Sequence, residues 1–262
     1  MSEAGAQAAP DRIMHVSDVH FGVENPAAMD AFAASVEELQ PDAVICTGDI
    51  TQRAFHGQWD AARKWFAAFD APVMVMPGNH DMPYGNLLER FRDPYKRFGS
   101  LEDAVGREIS LRHAVIVPLD TNVTAQWRWP WSDGVIKQRK LDATLERLGE
   151  LADDPRMKIV ACHHPLLPAT DDRKNPTIRG DMAFAALARA GANAVMSGHV
   201  HVPFDLTRSR EGHAMRMIGA GTLSRRLRGA EPSWNLVTIT PDRIAVEPQY
   251  PLEQMTELET TR

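Results

Sequence analysis

The sequence has few cysteines, no long apolar run and no excess of positive charge. Its two cysteines, Cys46 and Cys162, each lie inside an apolar stretch typical of a strand, which excludes a disulfide framework and indicates a reducing compartment. No apolar run approaches the roughly 18 residues of a membrane-spanning helix, and residues 1–11 lack the apolar core of a signal peptide. We therefore expect a cytoplasmic protein with no membrane partner.

The charge of the chain argues against a protein that binds nucleic acid. The formal net charge is −6, whereas binding through overall charge needs a basic protein. One stretch is nevertheless densely basic, and it contains Arg208, Arg210, Arg216, Arg225, Arg226 and Arg228. We favour a solvated hairpin for this stretch, and the alternative is a patch that meets an anionic substrate or a partner.

The length of 262 residues allows one large domain with a sizeable core. We predict a flexible N-terminal tail over residues 1–11, a single domain over residues 12–250 and a polar C-terminal tail over residues 251–262. A homo-oligomer is compatible with this composition.

The first 81 residues alternate strands and helices, which predicts a largely parallel sheet with helical cover. Strands are predicted at residues 12–17, 42–47 and 72–76, with helices between them. Each strand ends in polar groups: Asp18 and His20, then Gly48-Asp49, then Gly78-Asn79-His80-Asp81. In an open α/β sheet, ligands bind beyond the carboxyl ends of the strands. Asp18 and His20 are two residues apart, so on extended backbone they point to the same side.

The same pattern continues further along the chain. A helix is predicted over residues 84–100, and further strands at residues 157–162 and 194–197 end in His163-His164-Pro165 and in Gly198-His199-Val200-His201. From residue 202 the helices stop. Strands are then predicted at 204–207, 213–218, 234–239 and 243–246, which suggests a second, mixed or antiparallel sheet.

The groups at these strand ends have the chemistry of metal ligands. The candidate ligands are Asp18, His20, Asp49, Asn79, His163, His199 and His201. The set has no thiolate, and imidazole, carboxylate and amide oxygen suit Mn, Fe, Zn or Co. Seven ligands are too many for one such ion and fit two divalent or trivalent ions with a shared carboxylate, and Asp49 lies in the middle of the set. Two ions can stabilise an in-line displacement at phosphorus and supply hydroxide near neutral pH.

Two further residues are candidates for catalysis. His80 follows the ligand Asn79 and can protonate a departing alkoxide. Asp81 can orient the imidazole of His80.

These motifs, in this order, resemble those of the calcineurin-like metallophosphoesterase family: Asp18/His20, Gly48/Asp49, Gly78-Asn79-His80-Asp81, His163-His164-Pro165 and Gly198-His199-Val200-His201. The resemblance implies an α/β fold, a four-layer αββα sandwich of two mixed sheets flanked by helices. It also implies that Asp18, His20, Asp49 and His201 hold one metal and that Asp49, Asn79, His163 and His199 hold the other. It gives His80 a role in assisting the leaving group or the phosphoryl oxygens.

The substrate is less sharply defined by the sequence. The chain looks most like the bacterial branch with cyclic-nucleotide and glycerophosphodiester phosphodiesterases, although many members carry an acidic residue shortly after Gly-Asp, where this chain has Ile50-Thr51-Gln52. His164 either contacts substrate or packs. Arg53, Arg173 and Arg179 are substrate-binding candidates by location, as is Trp129 in the segment 126–131. This segment either packs a loop onto the body or forms an aromatic lid, and the loop 166–180 is a second candidate lid.

The favoured hypothesis is therefore a dimetal hydrolase of a small phosphodiester. The alternatives are a phosphomonoesterase or a pyrophosphatase of nucleotide-like substrates, a nuclease and a non-catalytic scaffold. Loss of ligands would favour the scaffold, and here all seven positions and His80 are intact.

Overall fold

The structure is a computed structural model that describes residues 9–83, 85–124, 132–169 and 177–251. Its strands are β1 (Asp11–Val16), β2 (Ala43–Cys46), β3 (Val73–Val75), β4 (Ile109–Ser110), β5 (Ala114–Pro118), β6 (Gly134–Val135), β7 (Met157–Ala161), β8 (Thr177–Ile178), β9 (Ala194–Ser197), β10 (Phe204–Arg210), β11 (His213–Gly219), β12 (Trp234–Ile239) and β13 (Ile244–Gln249). Its helices are α1 (Pro26–Leu39), α2 (His56–Phe66), α3 (Leu87–Arg92), α4 (Lys96–Val105), α5 (Gln138–Glu150) and α6 (Gly180–Arg189), and a 3-10 turn spans Asn79–Asp81.

The strands form two mixed sheets and a short parallel pair, β6 with β8. The first sheet has the order β13-β12-β1-β2-β3, in which β1, β2 and β3 run parallel and β12 runs antiparallel to both of its neighbours, β1 and β13. The second has the order β10-β11-β9-β7-β5-β4, parallel from β11 to β5 with an antiparallel strand at each edge. Because the polar motifs all follow parallel strands, they emerge at the carboxyl ends of both sheets.

Alternating side chains along the strands bury three apolar layers, so the architecture is a four-layer sandwich. Val16 of β1 lies in a core shared with α1, α2 and α4. Ile45 of β2 and Ile159 of β7 lie between the two sheets. Val160, the next residue of β7, packs with α5 and α6 on the far side. The predicted αββα sandwich is confirmed, since both faces of each sheet are covered.

Local signals explain where α1 begins and ends. Pro26 occupies its first turn, where a missing N–H costs nothing, and the Oδ1 atom of Asn25 accepts a hydrogen bond from the backbone N–H of Ala28 at 3.3 Å. Gln40 ends the helix in a left-handed conformation with φ of 45°. No helix within the described residues is long and apolar enough to cross a membrane.

One predicted helix is wrong in extent. The sequence predicts a single helix over residues 84–100, and the structure has two shorter helices, α3 and α4, on either side of Pro94. Proline disfavours helical backbone in the residue before it, and Asp93 accordingly has φ of −152° and ψ of 74°. The helical periodicity is genuine on both sides of this break.

The four late strands also differ from the prediction, because they do not form a sheet of their own. β10 and β11 extend the second sheet, and β12 and β13 extend the first. The chain therefore crosses from one sheet to the other through the β11–β12 loop, residues 220–233. This crossing brings the loop past the strand ends of both sheets.

The N-terminal boundary lies earlier than residue 12. β1 begins at Asp11, which is buried, and its Oδ2 atom accepts a hydrogen bond from the backbone N–H of His113 at 2.7 Å. The carbonyl oxygen of Ala9 also contacts Nε2 of His113 at 3.1 Å. Residues 1–8 of the predicted N-terminal tail (1–11) and residues 252–262 of the predicted C-terminal tail (251–262) lie outside the described residues.

Candidate metal centre

The turns that follow the parallel strands are joined to one another by backbone hydrogen bonds. The N–H of Asp18 donates to the carbonyl oxygen of Gly48 at 2.9 Å, and the N–H of His20 donates to that of Asp49 at 3.0 Å. Across the two sheets, the N–H of His199 donates to Oδ2 of Asp18 at 2.8 Å. The seven predicted ligands are therefore brought together at one place, and all seven are buried.

Five of these seven residues have left-handed backbone, with positive φ: Asp18 (52°), His20 (51°), Asp49 (50°), His199 (69°) and His201 (60°). Such φ values are uncommon outside glycine, although Asp and His are among the residues that tolerate them best. Asp18 and His20 therefore reach the site on left-handed backbone, as do His199 and His201. The prediction of extended backbone at Asp18 and His20 is wrong. Backbone strain of this kind concentrates at functional sites.

Asp18, His20 and His201 form the first group of ligand atoms. Oδ1 of Asp18 lies 3.0 Å from Nε2 of His201 and 3.7 Å from Nε2 of His20. The same Oδ1 atom is buried and accepts no hydrogen bond from the described residues. An unsatisfied buried oxygen that faces two imidazole nitrogens fits a metal ion, which would satisfy all three atoms.

The second group is centred on His163. Its Nε2 atom lies 3.2 Å from Oδ1 of Asn79 and 3.4 Å from Oδ1 of Asp49. The rings of His163 and His199 have centroids 5.3 Å apart. The second oxygen of Asp49, Oδ2, lies 3.7 Å from Nε2 of His20 in the first group. The carboxylate of Asp49 therefore faces both groups, one oxygen toward each.

Backbone carbonyls fix the orientation of two of the histidines. Nδ1 of His163 lies 2.8 Å from the carbonyl oxygen of Thr47, and Nδ1 of His201 lies 2.5 Å from that of Arg226. Each Nδ1 must carry a proton to donate to a carbonyl, so Nε2 is the nitrogen of each ring that faces the centre. This is the arrangement that holds metal-binding imidazoles in proteins.

Burial and mutual charge set the protonation of the ligand atoms. Burial lowers the pKa of His20 to about 4 and that of His199 to about 3, so both rings are neutral. Burial by itself raises the pKa of Asp49, but the charge of His163 brings this pKa well below its usual value. Burial also lowers the pKa of His163, but the carboxylate of Asp49 outweighs it and raises this pKa to about 9.

His80 lies at the edge of this centre, and the carbonyl oxygen of Gln52 orients it. Nδ1 of His80 is 2.8 Å from that oxygen, and its backbone N–H donates to Oδ1 of Asp49 at 2.8 Å. The imidazole ring meets that of His20 edge-on, with centroids 4.9 Å apart. His80 is thus close to the ligand groups while its Nε2 atom points into the mouth of the site.

Asp81 links two of the turns through its carboxylate. Its carboxylate accepts hydrogen bonds from the backbone N–H groups of Ile50, Thr51 and Gly78 at 3.1, 2.7 and 2.8 Å. It therefore joins the turn after β2 to the turn after β3, and the orientation of His80 by Asp81 stays a prediction. Burial raises the pKa of Asp81 to about 7.

His164 is buried beside the centre, but both of its ring nitrogens have protein partners. Nδ1 lies 2.8 Å from Oγ1 of Thr121, and Nε2 lies 2.9 Å from the carbonyl oxygen of Ser132. Since the ring is held on both sides, this geometry favours the packing alternative over contact with substrate. Substrate contact through the ring would cost at least one of these bonds.

The remaining substrate-binding candidates are only partly described. Arg53 is exposed and lines a cavity of about 390 Å³ with Gln52, Phe55, His80 and Gly85. Nη2 of Arg179 donates to Oε1 of Gln138 at 2.6 Å. Trp129 and Arg173 lie outside the described residues, so a role for Trp129 stays a prediction.

The β11–β12 loop is a part of the centre that the sequence motifs did not indicate. Oγ1 of Thr222 donates to the carbonyl oxygen of Asp18 at 2.6 Å, and the guanidinium of Arg226 reaches the rings of His20 and His80. The density of arginine in this stretch was the available signal. It could not tell which arginine enters the site, because that depends on where the chain crosses between sheets.

The chain matches the family model described as calcineurin-like phosphoesterase over residues 11–203. The 3′,5′-cyclic adenosine monophosphate phosphodiesterase CpdA of Haemophilus influenzae is 24% identical over 204 residues, which cover 72% of this chain and 69% of that protein. The glycerophosphodiester phosphodiesterase GpdQ of Enterobacter lignolyticus is 26% identical over 176 residues, 63% of this chain and 60% of that protein. A solved structure of a dimetal phosphatase from Danio rerio superposes with a TM-score of 0.71 at 12% identity, over 93% of this chain and 97% of that one.

Proposed function

Because this chain belongs to the calcineurin-like phosphoesterase family, a family of metal-dependent phosphoester hydrolases, we propose that it hydrolyses a small phosphodiester of the cyclic-nucleotide or glycerophosphodiester type. The observation that carries this proposal is the position of Asp49. One carboxylate that faces two groups of imidazole and carboxylate ligands is what a centre with two ions and a bridging ligand needs.

Asp18, His20, Asp49 and His201 would hold one ion, and Asp49, Asn79, His163 and His199 would hold the other. Mn, Fe or Zn suits this set of nitrogen and oxygen donors. Two such ions supply Lewis-acid stabilisation at phosphorus and lower the pKa of water near the site. The protein contributes the fixed backbone, the tautomers of His163 and His201 and the burial of every ligand.

His80 would transfer a proton to the departing alkoxide. Its Nδ1 atom is held by the carbonyl oxygen of Gln52, so Nε2 would be the atom that meets the leaving group, and it would have to part from Nη1 of Arg226, which lies 3.0 Å away. The cavity beside it, lined by Gln52, Arg53, Phe55 and Gly85, offers about 390 Å³ next to the proposed proton donor. This space is large enough for an organic alcohol as the leaving group.

The names of the relatives support a phosphodiester substrate, but they differ in the kind of phosphodiester. CpdA of Haemophilus influenzae is named for 3′,5′-cyclic adenosine monophosphate, and GpdQ of Enterobacter lignolyticus for glycerophosphodiesters. Both substrates carry one phosphoryl group between two ester oxygens. The chemistry at the metal centre is the same for both, so the substrate has to be found by assay.

The test is hydrolysis of a substrate panel by the manganese-loaded protein. The panel contains bis(p-nitrophenyl) phosphate, p-nitrophenyl phosphate, cyclic AMP and glycerophosphodiesters, with Asp49→Ala protein purified in parallel to reveal contaminating phosphatase. We expect the diesters to be cleaved much faster than the monoester. The relative rates on cyclic AMP and on glycerophosphodiesters would then rank these two kinds of substrate. A protein that holds two metals and cleaves only the monoester would contradict the proposal.

A further inference from the structure

Arg226 carries its guanidinium into the mouth of the metal centre. Its Nη1 atom lies 3.0 Å from Nε2 of His80, 3.3 Å from Nε2 of His20 and 3.4 Å from Oε1 of Gln52. These three partners belong to the turns after β1, β2 and β3, so one long side chain from the β11–β12 loop spans the entrance. No part of the described function requires a cation at this point.

The backbone that delivers Arg226 is fixed on several sides. Its N–H donates to Oγ of Ser224 at 3.2 Å, and its carbonyl oxygen is the partner of Nδ1 of His201 at 2.5 Å. The N–H of Arg225 donates to the carbonyl oxygen of Val23 at 3.0 Å. The loop is thus tied to the same turns that carry the metal ligands, and the position of the guanidinium follows from that attachment.

Arg226 differs from Arg210 and Arg216 of the basic stretch in what its charge meets. Arg210 pairs with Asp181, and Arg216 pairs with Asp205, so their charges are balanced within the protein. Arg226 forms no ion pair with a carboxylate among the described residues, and its protein partners are two imidazole rings and a neutral amide. A half-buried cation without an anion is best balanced by an anionic ligand.

We propose that Arg226 binds the non-bridging oxygens of the substrate's phosphoryl group at the metal centre, an inference that rests on the proposed function. One lone pair on Nε2 of His20 cannot serve both a guanidinium and a metal ion. When His20 acts as a ligand, the N–H group of Arg226 that points at it needs another acceptor. A phosphoryl oxygen held over the centre supplies that acceptor and the negative charge.

The chemistry of the guanidinium suits this position. It presents planar N–H donors that match phosphate oxygens in pairs. Negative charge on the phosphoryl oxygens is common to substrate, transition state and product. Arg226 therefore contributes to the binding of all three, and inorganic phosphate is a suitable probe of its role.

The experiment compares Arg226→Gln, Arg226→Lys and the matched control Arg225→Gln, which removes the same charge one residue earlier from an exposed side chain. Binding of inorganic phosphate to the manganese-loaded proteins is measured by titration calorimetry, and affinity for Mn²⁺ is measured by equilibrium dialysis. We expect phosphate affinity to fall roughly 10- to 100-fold in Arg226→Gln, as for the loss of a hydrogen bond to a charged group. Arg226→Lys keeps the charge without the planar pair of N–H donors, so its phosphate affinity should lie between those of Arg226→Gln and the wild type. The phosphate affinity of Arg225→Gln should resemble that of the wild type.

Affinity for Mn²⁺ separates this role from a structural one. Removal of a cation beside His20 should leave Mn²⁺ affinity unchanged or raise it, because the like-charge repulsion between guanidinium and ion is lost. Equal phosphate affinity in Arg226→Gln and the wild type, or a parallel loss of Mn²⁺ and phosphate in Arg226→Gln, would overturn the proposal. Phosphate binding needs no turnover, so a wild-type protein that cleaves no phosphodiester would count against the proposed function, and the phosphate comparison would still decide the role of Arg226.

Discussion

The metal centre combines two kinds of backbone: the turns after the parallel strands and the β11–β12 loop. The turns touch one another so closely that a Cβ atom at Gly78 would collide with the backbone nitrogen and Oδ1 of Asp49, and one at Gly198 would collide with Oγ of Ser17. In the loop, residues 227–229 are exposed and a Cβ atom at Gly229 would meet nothing within 4 Å. The turns thus fix the ligands through backbone. The loop supports His201 and Asp18 through the Arg226 carbonyl and Thr222, and it adds one long side chain, that of Arg226. Changes in the turns should cost metal, and loss of the Arg226 guanidinium should cost substrate.

Asp49→Ala tests the turns where we expect the largest effect. The carboxylate faces both ligand groups, so its loss should remove activity and reduce the content of both metals together. Metal content is measured by atomic emission after gel filtration, beside hydrolysis of bis(p-nitrophenyl) phosphate. The exposed Asp142 provides the control, since Asp142→Ala should keep both properties. An active Asp49→Ala protein that retains two metals would break the bridging assignment.

His80→Ala tests a turn residue that we place outside the ligand set. The variant should keep its metals and lose about 10²- to 10⁴-fold in rate, as expected for a lost general acid. The loss should be small with p-nitrophenolate, which leaves without a proton, and large with a poor leaving group such as the alcohol of a glycerophosphodiester. An equal loss with both leaving groups would argue that His80 binds the phosphoryl oxygens instead.

Gly78→Ala asks whether the close packing of the turns is what holds Asp49. The new methyl group cannot fit without moving Asp49, and overpacking of this kind typically costs about 1–3 kcal/mol of stability. We expect a lower melting temperature and weaker Mn²⁺ binding. Gly57→Ala is the matched control, because a Cβ atom there meets nothing within 4 Å. Mn²⁺ affinity equal in the two variants would show that the centre tolerates movement of its turns.

The same contrast explains how much of the structure could be predicted from the sequence. The strands, their parallel order and the seven polar groups at their ends are local patterns: an apolar run, then a turn, then Asp, Asn or His. Such patterns survive folding because parallel strands must bring their carboxyl ends to one edge. The left-handed backbone of Asp18 and His20 leaves no such pattern, since these residue types also occur in ordinary turns.

The parts that could not be predicted depend on contacts between distant segments. Arg226 enters the site because β11 and β12 belong to different sheets, and nothing in the basic stretch itself indicates that crossing. The backbone partners of Asp81 also could not be predicted, because the N–H groups of Ile50 and Thr51 are distant in sequence and adjacent in space. Sequence proximity identified the site and did not identify its internal contacts.

The smallest effect that we predict is a pH dependence of metal binding that belongs to the turns alone. The carboxylate of Asp49 outweighs burial and raises the pKa of His163 to about 9, so at neutral pH the metal-free protein holds a proton on this ring. A metal ion at His163 must displace that proton, while His20, with a pKa near 4, has none to lose. Affinity for the ion that His163 would hold should therefore rise by up to about tenfold per pH unit as the pH approaches 9 from below, and this affinity should level off above pH 9. Calorimetry in two buffers of different ionisation enthalpy should detect about one proton released at neutral pH.

Arg226→Gln should keep this proton release, because the loop supplies no ligand. A loss of the release in that variant would mean that loop and turns act as one unit.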